Sequence, residues 1–167
     1  LEKLNEFYLD RGYVDFSVDS TQVSISPDKR DMFVTAGISE GEIYTLSDVK
    51  VTGDTVLSEE QIKRYVLLQS GQTFSRTFLE LTSDSIIAAL GNIGYAFAEV
   101  NPIPDIDREK RTVAINLQVV PGPRVTVRQI RFKGNTRTTD EVLRREMRQF
   151  EGAWYSQAAI DRSKVRL

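Results

Sequence analysis

Apolar residues recur along this chain in two rhythms. Leu1, Leu4 and Tyr8 fall three and four residues apart, the spacing of one helix face. Gly12 then stands where a helix stops in a left-handed turn. Tyr13 to Ile25 is rich in β-formers, and Ser26-Pro27-Asp28-Lys29 is a turn signal. Met32, Val34, Ala36 and Ile38 alternate, which predicts a strand with one buried face.

Next come Tyr44 and Leu46, then Val49 and Val51. The apolar phase slips by one between the pairs, which predicts two short extended pieces joined by a bulge or bend. After a turn at Gly53-Asp54-Thr55, Ser58 and Gln61 form a capping box. The helix it opens should turn Ile62, Tyr65 and Val66 inward and end at Gly71. A second helix opens at Ser75, with Phe78, Ile86, Ala89, Leu90 and Ile93 as its buried stripe. It stops at Gly94-Tyr95, and a strand runs from there to about Asn101. Pro102 and Pro104 cannot donate to a ladder, so this strand should be a sheet edge ending at them. Asp107 to Lys110 is a charged turn. Val113, Ile115, Leu117 and Val119 then alternate in a last strand, and Pro121-Gly122-Pro123 makes a short, stiff boundary.

Beyond that boundary the pattern restarts. Gly122 answers Gly41, Ile130 answers Val49, and Gly134-Asn135-Thr136 answers Gly53-Asp54-Thr55. Leu143, Met147, Gly152 and Tyr155 answer Ile62, Val66, Gly71 and Phe74, all at a spacing of 81 residues. The junctions Gly12-Tyr13 and Gly94-Tyr95 lie 82 apart. A fixed period over so many positions defines a repeat of order strand, helix, helix, strand, strand. Residues 43–122 are one complete copy. Residues 1–42 are the back half of a preceding copy, and residues 123–167 the front half of a following one. The chain opens in mid-helix and reads as a fragment of a longer protein. The tail of one chain could rebuild a copy with the head of another, or the halves are simply cropped.

The fold class is α+β, and elimination gives the sheet. The last two strands form an antiparallel hairpin. If the first strand joined the proline-bearing one, the prolines would become central. The order should therefore be 1-3-2 in a three-stranded mixed sheet, with both helices on one face.

Composition narrows the chemistry. The chain has neither cysteine nor histidine, which excludes disulfides, thiolate chemistry and histidine bases, and leaves zinc almost no ligands. An enzyme would have to work with carboxylates, lysine or tyrosine. No run of about 18 apolar residues occurs, so no helix spans a membrane. Charge is uneven: residues 123–167 carry +6 and the remainder −8. Solvated helix faces account for this, or the tail faces an acidic partner, a lipid surface or nucleic acid.

The β-α-α-β-β unit, with its Gly-Asn/Asp-Thr turn, the glycine before the second helix and the Gly-Tyr junction, resembles the polypeptide-transport-associated (POTRA) module. Val127-Arg128-Gln129-Ile130-Arg131-Phe132-Lys133-Gly134-Asn135, followed by Leu143-Arg144-Arg145-Glu146-Met147-Arg148, is similar to the fifth, barrel-proximal module of the BamA family of outer-membrane protein assembly factors. Residues 43–122 would then be the fourth module and 1–42 the end of the third. The resemblance implies a non-enzymatic, cofactor-free periplasmic scaffold of a bacterial outer-membrane protein. Its partners would be the accessory lipoproteins of the assembly complex, a BamD-like one above all, and unfolded outer-membrane clients. By position, Arg144 and Glu151 would form an ion-pair contact to that lipoprotein.

An open sheet edge can accept an extended peptide as an extra strand. Ala96, Phe97, Ala98, Glu99 and Val100 are the candidate client rail, with Val14, Phe16 and Val18 as a possible second edge. Asp105, Asp107 and Glu109 alternate but lack the glycine and the terminal glutamate of a calcium loop, and read as a charged turn. Trp154 and Tyr155 read as packing under the second helix. Arg144, Arg145 and Arg148 stand among Glu141, Glu146 and Glu151 as a mixed-charge face rather than a nucleic-acid patch. Three other readings remain at this point: the POTRA region of a two-partner secretion transporter, a nucleic-acid-binding α+β repeat protein and, behind both, an enzyme working with carboxylates.

Overall fold

A computed structural model of the chain describes residues 2–167. The elements are α1 (Glu2–Leu9), β1 (Ser17–Ile25), β2 (Met32–Ser39), β3 (Thr45–Gly53), α2 (Glu59–Tyr65), α3 (Arg76–Gly91), β4 (Glu99–Asp107), β5 (Thr112–Val120), α4 (Asp140–Glu146) and α5 (Gln157–Arg166). The β-α-α-β-β order of the middle segment is present. Its sheet has the order β3-β5-β4, as the elimination required. β1 and β2 form a separate antiparallel pair with a bulge between Val18 and Ser20.

β5 is central because both its faces of hydrogen bonding are used and one of its side-chain faces is fully apolar. Val113, Ile115, Leu117 and Val119 are almost completely buried, while the residues between them are less so. Burying each such side chain stabilises the fold by about 1.5–3 kcal/mol. On β3 the inward phase slips from the buried Leu46 to the half-buried Val49 and Val51, as the sequence pattern shows, and the strand runs on through the slip without a break.

The chain divides into two compact units that do not coincide with the repeat copies. One holds the described residues up to Val49, with Leu68–Glu80 and Pro104–Ile115; the other holds Lys50–Leu67, Leu81–Ile103 and Asn116–Leu167. In the first, Tyr8 stacks on Phe16 with ring centroids 4.2 Å apart and meets Tyr13 edge-on at 5.3 Å. The same backbone clamp recurs in each unit. In the first, Tyr44 N donates to Gly12 O (2.8 Å), Phe74 N to Tyr44 O (3.0 Å), Leu46 N to Gln72 O (2.7 Å) and Gly71 N to Leu46 O (2.7 Å). In the second, Val125 N donates to Gly94 O (2.9 Å), Tyr155 N to Val125 O (3.0 Å), Val127 N to Ala153 O (2.9 Å) and Gly152 N to Val127 O (2.7 Å).

Several expectations are corrected. α2 stops at Tyr65, not at Gly71. The N–H of Leu67, which would extend the helix, instead donates to the buried Oγ1 of Thr82 at 3.1 Å. The repeat does the same again: α4 stops at Glu146, and Arg148 N donates to the buried Ser163 Oγ at 2.8 Å. On α3 the buried stripe is Thr82, Ser83, Ile86, Ala89 and Leu90, while Phe78 is half exposed and Ile93 lies past the helix. β2 buries no face; Met32 and Val34 are each 60% exposed or more, because a two-stranded sheet without a further strand has little to pack against. The strand expected after Pro123 is irregular chain with one bridge, Thr126 to Trp154. In the middle segment the matching strand β3 pairs with β5, and the described tail residues contain no counterpart of β5. The capping box of α2 is formed, with Gln61 N donating to Ser58 Oγ and Ser58 N to Gln61 Oε1 (3.1 Å).

Candidate functional site

The proline-bearing strand is at the sheet edge, but it neither begins nor ends where expected. β4 runs from Glu99 to Asp107, through Pro102 and Pro104. Ala96 and Phe97 sit in the turn that follows Gly94, Ala98 just precedes the strand, and only Glu99 and Val100 of the candidate rail belong to it. Ala98 and Val100 are buried, whereas Phe97 is two-thirds exposed. The two prolines are tolerated because they are two residues apart. Backbone N–H groups of a strand point alternately to either side, so both proline nitrogens face away from β5. Val100, Pro102, Pro104 and Ile106 therefore aim their carbonyls at the free edge, and only Val100 and Ile106 add an N–H.

Of the second edge, Val14 is in a turn, Phe16 is buried under Tyr8, and only Val18 lies in β1, opposite Ile38. Phe16 serves the core and is not available as a rail.

Arg144 and Glu151 come together, with one another rather than as two separate exposed charges. Glu151 Oε1 accepts from Arg144 Nη1 at 3.0 Å and from the backbone N of Ile130 at 2.7 Å. Arg144 Nε also donates to Asp140 Oδ2 at 2.7 Å and Nη2 to Ile130 O at 2.9 Å, and its guanidinium lies 5.6 Å from the Phe132 ring. The pair thus grips both backbone groups of Ile130. The Ile130 N–H first, then Arg144, hold the Glu151 carboxyl below its usual range. Asp140 first, then Glu151, raise Arg144 further. In the middle copy the matching positions are Lys63 and Ser70, so the node belongs to the tail copy alone. Aligning the two copies at the period of 81 would have exposed it, and it also shows why Asp140 matters.

The module joints are formed by contacts between residues far apart in the sequence. The carboxylate of Asp10 accepts from Thr77 N (2.8 Å), Thr77 Oγ1 (2.8 Å) and Ser75 Oγ (3.1 Å) at the start of α3. The matching joint in the other unit is neutral: Asn92 Oδ1 accepts from Ala158 N at 2.8 Å, at the start of α5. An Asx residue two positions before each Gly-Tyr junction was the available signal. Near the first joint, Tyr44 Oη donates to Asp15 Oδ2 (2.7 Å) and Arg108 pairs with Asp15 Oδ1 (3.3 Å). At the second, Trp154 is half exposed, not packed under a helix, and the Arg124 guanidinium lies 4.0 Å from its ring. Arg124 Nε also donates to Ile93 O at 2.7 Å. Asp107 accepts from Glu109 N and Lys110 N, both at 3.1 Å, and so caps its own turn. Arg145 pairs with Glu141 at 2.6 Å and Arg166 with Glu146 at 2.7 Å, a mixed-charge surface. Among the described residues, no helix is long and apolar enough to cross a membrane.

The sequence profile of the POTRA family, described as a surface antigen variable number repeat, matches residues 1–41, 44–122 and 125–167. The chain is 31% identical over 168 residues to the outer membrane protein assembly factor BamA of Neisseria meningitidis and 32% identical over 164 residues to that of Buchnera aphidicola. It covers 100% and 98% of itself in these matches, but only 21% and 27% of the two relatives. Its structure superposes on the crystal structure of Haemophilus influenzae BamA POTRA3-5 with a TM-score of 0.90 and 36% identity, over 99% of this chain and 65% of that one.

Proposed function

The chain belongs to the POTRA family, and we propose that it is the scaffold region of an outer-membrane β-barrel assembly factor, one that docks accessory lipoproteins and guides unfolded outer-membrane proteins. POTRA segments of such factors stand in the periplasm, and so does this one. The scaffold works by binding and orientation rather than catalysis. The observation that carries the client role is a nine-residue strand, β4, with a neighbour on one side only. Its free side offers main-chain groups to a strand that has not yet found its own partner, and main-chain bonds tolerate many client sequences.

Lipoprotein docking is proposed at the Arg144–Glu151 node. Both side chains are partly exposed, and the node holds the backbone at Ile130 beside them through both of its polar groups.

The client role is tested by placing a photoreactive side chain at Asn101 or Ile103, both exposed on β4, and at Lys63 on α2 as a control. During client insertion into lipid vesicles, the β4 positions should cross-link to an unfolded outer-membrane protein and Lys63 should not. Equal labelling at all three, or none on β4, would count against the edge.

A further inference from the structure

Pro102 and Pro104 do more than mark an edge. A proline there removes a donor but leaves its carbonyl acceptor. An incoming proline-free strand therefore keeps one main-chain bond at each of the two positions, its own N–H donating to the proline carbonyl. A second copy of β4 fares differently. In an antiparallel pairing centred on Ile103, Pro102 faces Pro104 of the other copy twice over. Neither member of such a pair can donate, and carbonyl faces carbonyl. Relative to an unmodified edge, a client loses two bonds and a second copy loses four. Pairings centred on Pro102 or on Pro104 also set a proline against a proline. We propose that the two prolines are a selectivity device. They keep β4 open to proline-free client strands as an acceptor-rich edge while excluding a second copy of the same edge. This rests on the reading of β4 as a client rail.

The geometry supplies a direct test, because the chain has no cysteine. In the pairing centred on Ile103 the two Ile103 residues form a non-hydrogen-bonded pair, with Cα atoms about 4.5 Å apart, within disulfide reach. Ile103 is itself half exposed. The 167-residue chain would be made as Ile103→Cys, with and without Pro102→Thr and Pro104→Thr. Disulfide dimer formation under mild oxidation is followed against protein concentration. In parallel, the Ile103 versions, with and without the two threonines, are titrated with a labelled ten-residue peptide alternating threonine and valine with a central lysine. Circular dichroism and a melting curve establish that each variant is folded.

Two restored donors should raise peptide affinity about fivefold or more, taking the low end of the net value of a hydrogen bond. Four restored bonds should raise self-association by about the square of that factor. Disulfide dimers of the Ile103→Cys chain should then appear on the threonine background at concentrations where the proline background stays monomeric. Equal gains in the two measurements would overturn the selectivity, as would a dimer that forms equally well with the prolines in place. Peptide binding only after the prolines are replaced would also overturn it, since the prolines would then close the edge to every strand. No peptide binding by either version would remove the client rail itself, a failure distinguishable from the loss of selectivity alone.

Discussion

Gly12 shows how much a single position carries. Its φ of +87° is the left-handed conformation that side chains with a Cβ avoid, and an added Cβ would lie 2.6 Å from Thr73 Cγ2 and 2.9 Å from Tyr44 O. That backbone turn aims Gly12 O at Tyr44 N. Gly12→Ala should cost more than about 1 kcal/mol, since strain and collision add; the midpoint of a denaturant melt checks it. Asp10 is the second case. Partial burial pushes its carboxyl up, but the Thr77 N–H, the Thr77 hydroxyl and the Ser75 hydroxyl outweigh this and hold it below its ordinary value of 3.8. A carboxylate depressed in the folded state adds stability above that ordinary value, and this is lost as pH falls from about 4 through the lower folded value. Asp10→Ala should cost about 0.5–2 kcal/mol, the range of a lost helix N-cap. Asp10→Asn should recover most of it at neutral pH, because Asn92 performs the same task at the other joint. The asparagine variant should also lose this part of the acid sensitivity. Stability curves at pH 7 and pH 3.5 would show whether the gap between the parent chain and its Asp10→Asn variant closes in acid.

At the scale of elements, hydroxyls inside the second helix of each copy set the length of the first. Thr82 accepts the N–H of Leu67 and Ser163 that of Arg148. Thr82→Val keeps the shape but takes the acceptor from the Leu67 N–H, so a loss of about 0.5–1.5 kcal/mol, the net value of one hydrogen bond, is expected. Chemical denaturation reads that loss, and rapid hydrogen exchange at Leu67 would identify its source. Element types and order were legible in the chain: the β-α-α-β-β repeat follows from periodicity and from glycines placed 81 residues apart. The sheet order was legible too, because two prolines forbid β4 the centre. Helix ends were not. Gly71 looked like a stop, but Thr82 reached the chain first. The end of β4 was misjudged for a related reason: proline forbids a bond only on the side where one is needed.

Across the whole molecule one backbone clamp is repeated. The same four backbone bonds recur in each unit at matching positions, with a charged Asp10 in one and a neutral Asn92 in the other. Of the middle and tail copies, only the tail has the Arg144–Glu151 node, and the docking proposed there can be tested. Glu151→Lys should weaken capture of the accessory lipoprotein, about tenfold if an interfacial charge pair is lost. Glu151→Gln, which can still accept from Ile130 N, should weaken it less. A binding titration with the purified lipoprotein separates the two, and equal affinities for all three proteins would take docking away from this node.

The sequence by itself determined the repeat, the types and order of the helices and strands in residues 43–122, which of those strands is the edge, and the family. These rest on local regularities: side-chain period, capping residues, turn glycines and prolines without donors. Only the tertiary structure decided where Asp10 and Asn92 reach, that Glu151 grips Ile130, that Phe16 is core, and that β2 buries neither face. Each of these depends on a partner far along the chain, and a periodic pattern specifies which face is apolar without specifying what will cover it. The prolines of β4 belong to both levels. Their spacing is written in the sequence, and the single neighbour that turns that spacing into an acceptor-rich edge comes from the fold.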